Sequence, residues 1–117
     1  MTNELMKDKT VFISGKITGD VKFVEKFKQA ERRLIALGFI VLNPINIPQD
    51  LIYEKQMSIC FNYIDNADYV YFLNDWRESK GATREMNYAI SKNKDCMYNS
   101  GERIYMRFTD GRIAWIE

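Results

Sequence analysis

The sequence predicts an α/β protein: a parallel sheet with helices on both faces, followed by a C-terminal β-hairpin. Three observations carry this. Short apolar, β-rich runs alternate with stretches of helical period. Polar, Gly- or Pro-bearing turns separate them. The last stretch breaks the alternation with two β-rich runs around Asp110-Gly111. Strand and helix in strict succession imply parallel pairing with helices packed above and below the sheet.

Taken in order, Thr10–Ile13 is the first strand. From Asp20 the period changes, and Phe23/Val24, Phe27, Ala30, Leu34 and Leu37 recur at helical spacing. Asp20 is placed to cap this helix and Gly38 to terminate it. Phe39–Asn43 is a second strand, stopped by Pro44. A loop containing Pro48 leads to a second helix marked by Tyr53, Met57, Cys60/Phe61 and Ile64. Asp68–Leu73 is the third strand. The polar turn "NDWRESKG" leads to a third helix, starting near Ala82, with Ala82, Met86, Ala89 and Ile90 on its apolar face. Asp95–Tyr98 is a fourth strand. Around Asp110-Gly111 the chain turns tightly, because Gly supplies the positive φ. No internal repeat or low-complexity segment is visible.

At 117 residues the chain is one domain, residues 1–117, with a core at 10–98 and the hairpin at 102–117. Apolar residues make up 46% of it, enough for one core, and the net charge is +1. That balance gives no electrostatic case for a nucleic-acid polymer or an acidic membrane surface as partner. No run has the length of a membrane span. The start, "MTNELMKDKT", lacks a signal-peptide core and reads as a polar lead-in. Cys60 and Cys96 have no zinc or C-x-x-C spacing and read as buried thiols of a reducing compartment. A cytoplasmic location is expected. There is no histidine, which excludes Ser-His and Cys-His triads and histidine-ligated metals. Neither cofactor nor metal is expected. Chemistry would fall to carboxylates, Lys, Tyr or Ser.

Open parallel sheets bind ligands at the carboxyl ends of their strands, where strand order reverses. With a flavodoxin-like order, 2-1-3-4, that point lies between strands one and three. Two loops then become neighbours, Ser14–Gly19 and Asn74–Gly81. The first, "SGKITG", looks like half a P-loop. Against G-x-x-x-x-G-K-S/T, however, Thr10 stands where the first Gly belongs and Ile17 where the Mg-binding hydroxyl belongs. The triphosphate-Mg reading therefore fails, as does G-x-G-x-x-G. Two readings of the loop remain: an ordinary βα turn, or a close backbone approach at Gly15 and Gly19, with Lys16 and Thr18 as anion donors.

Beyond the second loop, in the segment Asp75–Ala89, Glu85 borders the apolar face of the third helix. It is either a first-turn partner of the helix dipole or, in a chain without histidine, the nucleophile or general base. A Glu attacking an anomeric carbon forms a glycosyl intermediate through an oxocarbenium-like state. Trp76 stacks on a base or covers the core edge. Ser79 orients a hydroxyl or caps the helix. Arg77, Lys80 and Arg84 are solvated charges or phosphate ligands.

Together "VFISGKITGD", "AERRLIALGFIVLNP" and "ADYVYFLNDWRESKGATREMNYA" resemble the nucleoside 2-deoxyribosyltransferase-like family, and most closely its small phage- and prophage-associated branch. The resemblance spans Thr10 to Ala89; the hairpin lies outside it. It implies a Rossmann-like or flavodoxin-like sheet. It also implies cleavage or transfer at the N-glycosidic bond of a nucleoside or nucleotide, as in a nucleoside deoxyribosyltransferase or a nucleotide N-glycosidase. By this resemblance Glu85 is the nucleophile and Ser79 contacts the sugar. Ser14, Gly15, Lys16, Thr18 and Gly19 line the substrate site, joined by Asn43, Asp75, Trp76 and Gly81. The small-molecule partner is then a nucleoside or nucleotide. The relatives are oligomers in which a neighbouring chain completes the site, so a homodimer or higher homo-oligomer is expected. One departure stands out. Where relatives carry an Asp that serves the leaving base, this chain has Cys60, with Asp65 and Asp68 nearby. General acid assistance is worth about 10²–10⁴-fold. The alternative is thus a non-catalytic nucleotide-binding module, one that sequesters a nucleotide-derived signal. A purely structural partner protein is the third.

Overall fold

The computed structural model describes residues 6–117; the first five residues of the polar lead-in lie outside the described residues. The elements are β1 (Thr10–Ser14), α1 (Phe23–Ala36), β2 (Ile40–Leu42), α2 (Tyr53–Asn66), β3 (Tyr69–Phe72), α3 (Lys80–Ser91), β4 (Asp95–Ser100), β5 (Arg103–Arg107) and β6 (Ile113–Trp115). Single 3-10 turns at Pro44–Asn46 and Trp76–Glu78 precede α2 and α3. The strands form one sheet in the order β2-β1-β3-β4-β5-β6. β1 pairs in parallel with β2 and β3, and β3 with β4. β5 and β6 add antiparallel.

Alternation along the strands splits the core into two layers. Val11 and Ile13 of β1 face α1, packing with Phe27, Ala30 and Leu34. Phe12, Val70 and Phe72 face the opposite way and pack with Cys60 and Ile64 of α2 and Met86 and Ala89 of α3. β1 and β3, covered on both faces, are almost wholly buried. That is why they read as unbroken apolar runs.

Several local expectations change. Asp20 does not cap α1. The helix begins three residues later, with Lys22 at the N-cap position and no side-chain cap. Asp20 instead accepts the Lys22 N–H at 2.9 Å and pairs with Lys26. Gly38 does end the helix, at φ 105°. Its N–H bonds to the Ile35 carbonyl and that of Phe39 to the Leu34 carbonyl, the paired closure of a Schellman motif. α3 starts two residues before Ala82, because the Ser79 hydroxyl accepts the Ala82 N–H at 3.1 Å and caps it. Its buried stripe is Ala82, Glu85, Met86 and Ala89, spaced i, i+3, i+4, i+7. Ile90, one step beyond that stripe, is exposed rather than core. β4 runs on past Tyr98 to Ser100, and the terminal β-ribbon extends the sheet beyond it. Its turn closes with the Gly111 N–H on the Phe108 carbonyl and Gly111 at φ 92°. Among the described residues no helix is long and apolar enough to cross a membrane.

Candidate active site

At the carboxyl ends of β1 and β3, where the sheet order reverses, lies a cavity of about 390 Å³. Such crevices form because the loops leaving β1 and β3 run to opposite faces of the sheet and part between them. One wall is the loop after β1, with Gly15, Ile17 and Thr18. The other is the capped start of α3, with Ser79, Gly81 and Ala82. The third side comes from α2 and the segment before it, through Ile47, Tyr53, Met57 and Cys60.

Glu85 lies on this cavity and is only 6% exposed. Among the described residues it is the one buried acidic side chain. Its position in the second turn of α3 removes the first-turn dipole reading. The Ser14 hydroxyl, fully buried at the end of β1, donates to Glu85 Oε1 at 2.5 Å. Burial pushes the Glu85 pKa up to about 7, against the hydrogen bonds of Ser14 and Cys60 and the charge of Arg84. Burial also pushes the Cys60 thiol far above its ordinary range, helped by the charge of Glu85 and their hydrogen bond. Cys60 is therefore a neutral thiol at any physiological pH. A carboxylate so placed can exchange a proton or act on an electrophile near neutrality, where it is partly ionised.

The other expected site residues divide into two groups. Gly15, Thr18, Ser79 and Gly81 line the cavity beside Glu85. Ser14 stands behind the carboxylate. The rest lie outside the lining, and each has another partner. Lys16 gives its backbone N–H to Asp75 Oδ1 at 3.0 Å, and the second oxygen of Asp75 takes Lys26. Gly19, at φ 82°, occupies the third position of a turn closed by the Asp20 N–H on the Ile17 carbonyl. Asn43 is buried, accepting the Ile45 N–H and donating to the Phe27 carbonyl, so it ties the first 3-10 turn to α1. Trp76 packs on the Phe72 ring, centroids 5.5 Å apart, and the Arg77 guanidinium lies over it at 4.7 Å. Of its two readings, this is cover for the core edge. Arg84 pairs with Glu54 at 2.9 Å and lies over Tyr53; Lys80 reaches the cavity rim near the same ring.

The sequence does not reveal the α2 wall. Tyr53 and Met57 read there as a core stripe, and periodicity does not separate a stripe that meets a sheet from one whose first turn overhangs a crevice. Cys60 of α2 lines the cavity and interacts with Glu85. Asp65 instead accepts from the Tyr88 hydroxyl at 2.8 Å, outside the cavity. Among the described residues no cluster of three His, Cys, Asp or Glu side chains is arranged to hold a metal ion.

No curated protein matches the chain. A family model described as a domain of unknown function, DUF4406, matches residues 9–98. This span takes in β1 through most of β4, every residue of the cavity, and none of β5 or β6. The chain belongs to the DUF4406 family, whose matched span ends within β4, before β5 and β6.

Proposed function

We propose that this domain cleaves or transfers at the N-glycosidic bond of a nucleoside or nucleotide, with Glu85 as nucleophile. The observation that carries the reading is the buried Glu85 carboxyl, held by Ser14 beside a cavity of about 390 Å³ and poised near pH 7. That volume falls within the usual small-molecule range of about 300–1,000 Å³. The order β2-β1-β3-β4 supports a flavodoxin-like description, in which ligands sit at this switch point. In the first step a carboxylate oxygen bonds to the anomeric carbon while the C–N bond breaks. Its electron pair leaves with the base, which takes a proton from solvent. Water, or a second base, then displaces the carboxylate, restoring Glu85 and giving hydrolysis or transfer.

Base release from a panel of nucleosides and their 5′-monophosphates, followed by chromatography, tests this. Wild type should release free base and Glu85→Gln should not. Absence of release from every substrate, or full activity in the Gln variant, would sink the reading.

A second reading, a nucleotide-binding module without turnover, is favoured by Cys60. Its neutral, high-pKa thiol gives a departing base no efficient acid. Calorimetry showing tight binding of a nucleoside monophosphate without base release would select this reading.

A further inference from the structure

Lys16 does not line the cavity, yet both its neighbours, Gly15 and Ile17, do. Its own backbone is gripped at both polar groups. The N–H donates to Asp75 Oδ1 at 3.0 Å, and the carbonyl accepts from Lys26 Nζ at 2.8 Å. Lys26 also donates to Asp20 Oδ2 and Asp75 Oδ2, each at 2.5 Å. An ammonium has three donors, and here all three are used. Both oxygens of Asp75 are engaged, Oδ1 by the Lys16 N–H and Oδ2 by Lys26. Asp20 completes the ring through the Lys22 N–H.

This closed network ties the loop after β1 and the first turn of α1, which follow one another in the chain, to the loop after β3, about fifty residues or more further on. The charged side chains are about three-quarters buried, with 26%, 24% and 22% of Lys26, Asp20 and Asp75 exposed. Burial opposes the Lys26 charge, but its bonds to Asp20 and Asp75 outweigh that and hold its pKa above the ordinary lysine value. None of the three carboxyl or ammonium groups reaches the cavity. Gly15 meanwhile sits so close to Leu73 that an added Cβ would lie 2.8 Å from Leu73 Cδ1. The wall is thus pressed against Leu73, the residue after β3, at Gly15 and tied to the loop beyond it at Lys16.

We propose that Lys26 and Asp75 are positioning residues, which set the Gly15–Thr18 wall of the cavity through the backbone of Lys16. Asp75 is then not a ligand for substrate; its role passes through the Lys16 N–H. The kinetic consequence rests on the nucleosidase reading above, whereas the structural one does not. A wall displaced by about 1 Å is enough to cost up to about 10²-fold in function.

Two variants test it. Lys26→Met keeps the aliphatic stem and removes the ammonium. Asp75→Asn keeps an acceptor for the Lys16 N–H and removes the charge facing Lys26. Amide hydrogen exchange on the free protein should quicken at least about tenfold at residues 16–20 in both, with the interiors of β1 and α3 unchanged. On a nucleoside that wild type cleaves, both should raise KM about tenfold or more and change kcat less than about threefold. Glu85→Gln should do the reverse. If either variant fails to fold, the other decides. Unchanged exchange at residues 16–20, or a loss confined to kcat, overturns the proposal. If wild type cleaves nothing, the Glu85 reading falls, and the exchange measurement alone decides whether the clamp exists.

Discussion

The Ser14 hydroxyl donates a 2.5 Å hydrogen bond to Oε1 of Glu85, 71 residues further along the chain. The bond links the last residue of β1 to the second turn of α3 and gives a buried carboxyl a fixed orientation. Burying a carboxyl with few partners costs stability, and such costs gather at functional sites.

Glu85 should therefore make stability fall as pH rises. Its pKa is lifted from 4.5 in the unfolded chain to about 7 in the fold. Between these values the unfolded chain sheds the proton while the folded protein keeps it. The stability that the folded state draws from holding that proton is complete below about pH 4.5 and is lost as pH climbs through about 7. The shift corresponds to roughly 3 kcal/mol. Urea unfolding of Glu85→Gln against wild type should show the variant gaining up to roughly that amount at about pH 8 relative to about pH 4.5. A difference that stays constant with pH would contradict it.

Ser14→Ala should move the chemistry to higher pH. The Ser14 hydrogen bond favours the ionised carboxylate, so removing it raises the Glu85 pKa further. The acid limb of a kcat/KM profile should shift upward in pH in the variant. A shift downward would show that Ser14 acts on the protonated form.

Gly15→Ala should destabilise by about 1–3 kcal/mol through overpacking. The new methyl would meet Leu73 Cδ1, Cβ and Cγ at 2.8, 3.0 and 3.1 Å. Adding Leu73→Ala should recover part of the clash as a coupling energy in a double-mutant cycle read by urea unfolding. Strict additivity would show that the two residues do not meet.

Gly111→Ala tests the terminal ribbon apart from the cavity. No atom lies within 4 Å of the added carbon, but φ is 92°, so only backbone strain opposes it. A loss of roughly 1–2 kcal/mol is expected in thermal or urea unfolding, with nucleoside binding unchanged, since no residue of β5 or β6 lines the cavity. A change in binding would place the ribbon at the site.

Elements with local signatures are legible in the sequence alone. The run at residues 69–72 and the Gly38 stop fall where pattern and turn chemistry put them. Helix starts are less legible. Asp20 and Ser79 are both good capping types, yet only Ser79 caps, because Asp20 is drawn to Lys26 instead. That choice depends on a lysine in the next element and on Asp75, far along the chain. Trp76 and Asn43 are ambiguous in sequence for a similar reason: a conspicuous side chain near a crevice reads alike whether it faces ligand or core.

The two-period alternation and the turn glycines are enough for the α/β class. These are properties of neighbours in sequence, governed by backbone geometry and residue type. Glu85 meeting Ser14 and Cys60, the α2 wall of the cavity and the Lys26 network require the packed molecule. Each joins groups separated by many residues, and burial, which lifts the Glu85 pKa, exists only once the helices close over the sheet.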